Sequence, residues 1–180
     1  MELNYLILAL ALLVSAAGIQ DVLSRRISNI FPLVIVLLFL VATTLGGWTA
    51  EVWQNFASFL LVLSIGAILF QRGILGGGDV KLWAAVALWF KLTQLPLLVL
   101  SITLAGGILA LLSLGTRRFR RSGGARPAPS WKTARSVPYG VAIALGTMLS
   151  IAMSEVDPGA ASPPSAGHEQ LNNSLLDMVE

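Results

Sequence analysis

Six blocks of apolar residues alternate with short polar stretches along the chain. The blocks cover residues 3–20, 30–45, 56–70, 80–90, 95–114 and 137–153. Segments that are apolar on every side are typical of helices in a lipid bilayer. Several blocks are shorter than the ~20 residues that cross the hydrocarbon core, so other helices must cover the irregular parts. We therefore predict an all-α, polytopic integral membrane protein with about six transmembrane helices.

The polar residues 91–94 and the following Pro96 interrupt the apolar stretch between residues 82 and 115. A continuous helix over this stretch would exceed the ~30 Å hydrocarbon core by about 20 Å. Proline also fits best within the first turn of a helix, because it has no amide hydrogen. The pattern therefore predicts two helices here, the first of them short.

The composition agrees with a membrane protein and excludes several kinds of site. Of the 180 residues, 56% are hydrophobic and only 12% are charged, whereas a soluble domain carries about 25% charged residues. Cysteine is absent, which excludes disulfides, thiolate metal sites and a cysteine nucleophile. The single histidine, His168, lies in a polar tail. We therefore expect no metal site and no cofactor.

The charged residues predict the orientation in the membrane. With six crossings, Lys91 alone of the 12 basic residues lies on one side, together with seven of the 9 acids. Lysine and arginine mark the cytoplasmic side, so both termini are predicted to be periplasmic. The net charge of +3 then reflects topology, and no nucleic-acid partner is expected. No basic residue precedes the first block, so we do not expect it to be a cleaved signal peptide.

The chain is predicted to contain one transmembrane domain, residues 1–153, and a tail. Residues 116–136 are basic and rich in glycine and proline, which predicts a flexible cytoplasmic loop that contacts membrane lipid. Residues 154–180 are acidic and include Pro158, Pro163 and Pro164. That composition cannot form a packed core, so we predict a disordered periplasmic tail.

Two carboxylates lie on the side that is otherwise basic. Asp21 follows the first block and Asp79 precedes the fourth, so both are expected at the same depth. Ionisable residues at the membrane are costly and indicate a functional site. Two aspartates held close together share one proton. The ionised carboxylate can then activate water while the protonated one polarises a peptide carbonyl, so the pair is a candidate catalytic dyad.

Each aspartate taken singly also fits a structural role. Asp21 has the spacing to pair with Arg25 on a continuing helix, and Asp79 is placed to cap a helix N-terminus. Three glycines, Gly76 to Gly78, precede Asp79. They permit positive φ angles and close backbone approach, or alternatively form a plain turn. The combination is more specific than any of its parts.

Two motifs resemble those of the prepilin peptidase family, which are aspartic membrane proteases with a G-x-G-D signature. The first is Asp21 followed by Ile27-Ser28-Asn29, and the second is Gly76-Gly77-Gly78-Asp79-Val80-Lys81-Leu82. Pro138-Tyr139-Gly140, at the start of the last block, also resembles a family element. The short chain is similar to the members that serve tight-adherence (Flp) pili.

The resemblance implies an aspartic endopeptidase that removes the leader from prepilins or pseudopilins. Cleavage is implied just after a glycine, at the cytoplasmic face of the bacterial inner membrane. Asp21 and Asp79 would be catalytic, while Gly76, Gly78, Lys81 and Asn29 would support the site or contact substrate. Family members that also N-methylate the pilin carry a cysteine-rich domain that this sequence lacks, so we expect peptidase activity only.

Two further expectations concern side chains in these motifs. Ser28 stands where the family often has proline, and Ser28 or Asn29 is expected to cap the next helix. Lys81 follows Asp79 by two residues and so points about 200° away from it on a helix. We therefore expect Lys81 to contact lipid phosphate or substrate rather than Asp79.

Two functions of other classes also fit the residues. A small transporter or proton channel would use Asp21 and Asp79 as a proton relay, and would show ion flux without proteolysis. A non-enzymatic subunit of a membrane assembly would tolerate conservative changes at both aspartates.

Overall fold

A computed structural model describes residues 2–25, 27–122 and 139–153, and these residues form six helices. The helices are α1 (Glu2–Ser24), α2 (Ile30–Gly46), α3 (Val52–Gln71), α4 (Gly77–Ala87), α5 (Leu95–Ser122) and α6 (Tyr139–Met153). One helix corresponds to each apolar block of the sequence. The prediction of an all-α protein with six helices is confirmed.

The outer surface of the helices is apolar, as a lipid environment requires. Three segments, Tyr5–Ser24, Val52–Gln71 and Leu95–Ser113, are long and apolar enough to cross a membrane, and α2 and α6 are shorter apolar helices. Large aliphatic side chains such as Leu12, Leu60 and Leu111 are mostly exposed. These features are those of a polytopic membrane protein.

Helix α4 lies at the centre of the fold and packs against α2, α3 and α6. Every side chain from residue 82 to residue 90 is buried. The 11 residues of α4 make a helix of only about 16 Å, which is too short to span the hydrocarbon core. Because neighbouring helices cover it, α4 is apolar on all sides from Leu82 onward, while Asp79 and the exposed Lys81 lie in its first turns.

A side chain of α3 satisfies the backbone just beyond the end of α4. The Asn55 Nδ2 donates to the carbonyl oxygen of Leu88 at 3.0 Å, and unpaired backbone groups are costly within a membrane. This bond helps the chain to leave the helix at Ala87, before the predicted end at residue 90. The Trp89 Nε1 donates to the carbonyl oxygen of Ile35 at 3.3 Å, which ties the same segment to α2.

An ion pair joins the two connections at the end of the bundle away from the aspartates. The Lys91 Nζ lies 2.6 Å from the Glu51 Oε2. Glu51 lies between α2 and α3, and Lys91 lies between α4 and α5. The two residues can meet only if the chain turns near residue 91, so the predicted break between two helices is confirmed.

The basic loop predicted for residues 116–136 begins later than the sequence suggested. The backbone of α5 stays helical through Ser122, so the prediction is wrong for residues 116–122. This stretch contains four arginines, which are good helix formers and let the helix continue past its apolar part. The rest of the predicted loop and the tail at 154–180 lie outside the described residues.

Small residues set the position of α6 against its neighbours. A Cβ atom placed on Gly18 of α1 would lie 3.2 Å from the Ala144 Cβ, and one on Gly146 would lie 2.5 Å from the Ile102 Cα of α5. Such positions let membrane helices approach closely. The close packing of α1 on α6 brings the start of α6 beside the end of α1.

The orientation in the membrane remains a prediction from the sorting of basic residues. Reporter fusions at Gly124 should report the cytoplasm, and fusions at Gly167 should report the periplasm, because α6 crosses between them. A phosphatase and a fluorescent reporter at each site would measure this. Both fusions on the same side of the membrane would contradict the predicted number of crossings.

Candidate active site

Asp21 lies in the last turn of α1, where its side chain is almost completely buried. Its exposed fraction is 8%, and its Oδ2 accepts a hydrogen bond of 2.8 Å from the backbone amide of Gly140 in the first turn of α6. The predicted pairing of Asp21 with Arg25 is not found. Among the described residues, the ion pair is the one between Lys91 and Glu51. Arg25 is exposed and has a φ of 51°. The carboxylate is therefore held by a distant segment of the chain.

Asp79 is the third residue of α4, and its carboxylate turns back toward the start of the helix. Its Oδ2 accepts a hydrogen bond of 3.2 Å from the backbone amide of Gly76. Gly76 itself occupies the N-cap position, so the interpretation of Asp79 as the N-cap is wrong by three residues. The bond is the one that an acidic third residue makes in a capping box.

The two aspartates lie at the same end of the bundle. Their carboxylates are close enough to interact electrostatically. The Tyr139 hydroxyl also lies within electrostatic range of Asp79. The structure thus brings together the end of α1 and the starts of α4 and α6. In the ranges that the structure covers, no cluster of three metal-ligating side chains is found.

Ile27 fills the space between two glycines of the site. A Cβ atom on Gly78 would lie 3.2 Å from the Ile27 Cβ, and one on Gly140 would lie 3.1 Å from the Ile27 Cδ1. The same atom on Gly140 would lie 2.9 Å from the Asp21 Cβ. Glycine at both positions lets the backbones of α4 and α6 approach Ile27 closely. Ile27 thereby sets the spacing between these two helices.

The glycines before Asp79 serve close packing and not unusual backbone angles. Gly76 has a φ of −77°, and the described glycines with positive φ are Gly47 and Gly73. Of the two properties that these glycines permit, the structure uses close backbone approach and not positive φ. A Cβ atom on Gly76 would lie 2.7 Å from the Asp79 Oδ2, so this glycine leaves room for the carboxylate.

The residues after Ile27 connect three helices. The Ser28 amide donates to the Gln20 Oε1 at 3.0 Å, and the Lys81 Nζ donates to the Asn29 Oδ1 at 3.1 Å. Asn29 stands at the N-cap of α2 but its side chain makes no capping bond, because it accepts from Lys81 instead. The Ser28 Oγ accepts a 3.4 Å bond from the amide of Ile30. Capping thus falls to Ser28, and Lys81 links α4 to α2.

The sequence did not assign a role to three contributors of this site. They are the Gly140 amide, the Tyr139 ring and the Gln20 side chain. Tyr139 and Gly140 belong to the motif Pro138-Tyr139-Gly140. Its resemblance to a family element was the sequence feature that could have pointed to them. A backbone amide that binds a carboxylate 119 positions away has no signature of its own in a sequence.

The fold and the site together define a polytopic membrane protein with a pair of carboxylates at one end of its helices. Residues 7–111 match the model of the type IV leader peptidase family. This match covers more than half of the chain and includes both aspartates, although it ends before α6. The chain belongs to this family and is a leader peptidase-like membrane protease. No curated protein and no solved structure matches it significantly.

Proposed function

We propose that this protein is an aspartic endopeptidase that removes the leader peptide from type IV prepilins or pseudopilins, with Asp21 and Asp79 as its catalytic pair. The observation that carries the proposal is that the two carboxylates, from motifs 58 positions apart, lie at one end of the bundle within electrostatic range, inside the region of the family match. Asp21 is fixed by the Gly140 amide, and Asp79 is fixed by the Gly76 amide. The site therefore holds both groups by backbone bonds.

In the proposed reaction the pair carries one proton. The ionised carboxylate takes a proton from a water molecule, whose oxygen bonds to the carbonyl carbon of the substrate. The protonated carboxyl donates to the carbonyl oxygen as negative charge develops there. The C–N bond then breaks, the amine leaves with the proton that the first carboxylate had taken, and a hydroxyl of the intermediate returns its proton to the second carboxylate as the new carbonyl forms. Water is the only co-reactant.

The substrate and the location follow from the family and from the charge pattern. Leader peptidases of this family act on prepilin-type precursors, and we propose a Flp-type pilin as the substrate. The basic residues predict that the aspartate end of the bundle faces the cytoplasm of a bacterial inner membrane. The chain lacks cysteine and with it the cysteine-rich domain of methylating relatives, so we propose cleavage without N-methylation.

The test is cleavage of a pilin precursor by the purified protein in liposomes. We expect a shortened product whose mass corresponds to a cut just after a glycine, and no added methyl group when a methyl donor is supplied. A precursor with a bulky residue in place of that glycine serves as the control and should remain whole. Proton flux through the same liposomes without any cleavage would favour the transporter, and neither activity would favour the assembly subunit.

A further inference from the structure

An apolar groove lies between α3 and α5. Helix α5 packs against α6, and α3 packs against α4, which leaves a gap of about 650 Å³ between the two outer helices. Leu61 and Ile65 line it from α3, Leu100 and Thr103 line it from α5, and Trp83 of α4 forms its base. This volume is within the ~300–1,000 Å³ range of pockets that bind ligands.

The base of the groove approaches Asp79. Trp83 lies four residues beyond Asp79 on α4, so the two side chains share one face of that helix, about 6 Å apart along its axis. On α5, Thr103 lies one turn from Gly106, and a Cβ atom on Gly106 would touch the Tyr139 ring at 3.5 Å. The groove therefore comes within about one helical turn of Asp79 at Trp83, while Leu92, Leu95 and Pro96 line its other end, near Lys91.

The lining of the groove favours an apolar occupant. Nine of the ten lining residues carry apolar side chains, and the hydroxyl of the tenth, Thr103, donates to the carbonyl oxygen of Val99 within its own helix. A lipid chain would fit such walls but would have no interaction with the two nearby carboxylates. A polypeptide whose apolar helix directly follows a cleavable bond fills the groove with that helix and reaches the carboxylates with the residues before it.

We propose that the groove between α3 and α5 binds the apolar helix of the substrate and thereby places the scissile bond between Asp21 and Asp79. This inference rests on the proposed function. The substrate helix packs laterally from the bilayer against α3 and α5, with Trp83 beneath it. Its extended leader continues past Tyr139 to the carboxylates.

Photo-crosslinking tests where the substrate helix lies. Leu100 in the groove and Leu8 on the outer face of α1 are both 56% exposed, and both lie within the first two turns of their helices. A benzophenone amino acid at each position, in the Asp79→Asn protein so that substrate is retained, should give at least ten times more adduct with the precursor at Leu100. Equal yields at the two positions, or adducts only with lipid at Leu100, would overturn the proposal.

Filling the groove gives an independent test in the active protein. Leu100→Trp should lower kcat/KM for the whole precursor about tenfold, while Leu8→Trp should leave it unchanged. A peptide that carries the leader and cleavage site but lacks the apolar helix should be cut equally by both variants. A loss with both substrates would indicate damage to the site, and no loss with either would indicate an unused groove. Failure of the unaltered protein to cut any precursor would instead refute the proposed function.

Discussion

Asp21→Asn and Asp79→Asn should each remove nearly all cleavage of a pilin precursor, and the double variant should be little worse than either single one. In the proposed mechanism the pair shares one proton and activates one water, and residues that act as a unit are not additive. Asparagine keeps the shape of the side chain but cannot ionise. The ratio of precursor to mature pilin on a gel, at equal enzyme levels, measures the effect.

A matched control separates catalysis from the general effect of losing a carboxylate. Glu51 lies at the other end of the bundle and pairs with Lys91, so Glu51→Gln should cleave at close to the normal rate. Asp→Glu at either catalytic position should still fail, because a displacement of roughly an ångström can cost about a hundredfold. Substantial processing by either Asn variant would exclude that aspartate from catalysis and favour the transporter or the assembly subunit.

Gly140→Ala should reduce cleavage about a hundredfold while the protein still inserts and accumulates. The new Cβ would lie 2.9 Å from the Asp21 Cβ and 3.0 Å from its Oδ2. Either distance is too short for nonbonded atoms, so the Asp21 carboxylate or the start of α6 must move. The hydrogen bond of 2.8 Å between the Gly140 amide and Asp21 would then be lost or displaced.

The control for Gly140→Ala is the same change at Gly107 on α5. A Cβ atom there would meet nothing within 4 Å, so Gly107→Ala should cleave normally. Because a positioning role should act on kcat more than on KM, both parameters should be measured for a precursor. Equal activity of the two alanine variants would show that the contact with Gly140 does not position Asp21.

Most of the fold could be predicted because each helix has a local signature. Apolar blocks that suit a bilayer predicted all six helices, and Pro96 with the polar residues around Lys91 predicted the break between α4 and α5. The errors lie at helix ends. Asn55 satisfies a backbone carbonyl after Ala87, and arginines continue α5 to Ser122. A hydropathy pattern does not show the contact with a distant residue that ends α4. It also does not show that a helix such as α5 continues through charged residues beyond its apolar part.

The candidate site was predicted less completely than the fold. The two aspartates were found because ionised groups are rare in apolar sequence, and their motifs identified the family. The partners of Asn29 and Lys81 were not found, although each residue was singled out, because their hydrogen bond spans 52 positions. The glycines were expected to permit positive φ angles and close backbone approach, and the close approach is the part that is found, since Gly76 and Gly78 leave room for Asp79 and Ile27.

The sequence by itself determined that this protein is helical, enters a membrane and carries two carboxylates at related helix ends. These properties follow from the identity and spacing of residues along the chain, since transfer to a bilayer depends on each segment's own side chains. Only the tertiary structure decided which groups hold those carboxylates and where a groove opens. Gly18 and Gly146 allow α6 to approach α1 and α5 closely, and that approach places the Gly140 amide on Asp21. Such contacts join residues far apart in the chain, so they exist only once the helices have packed.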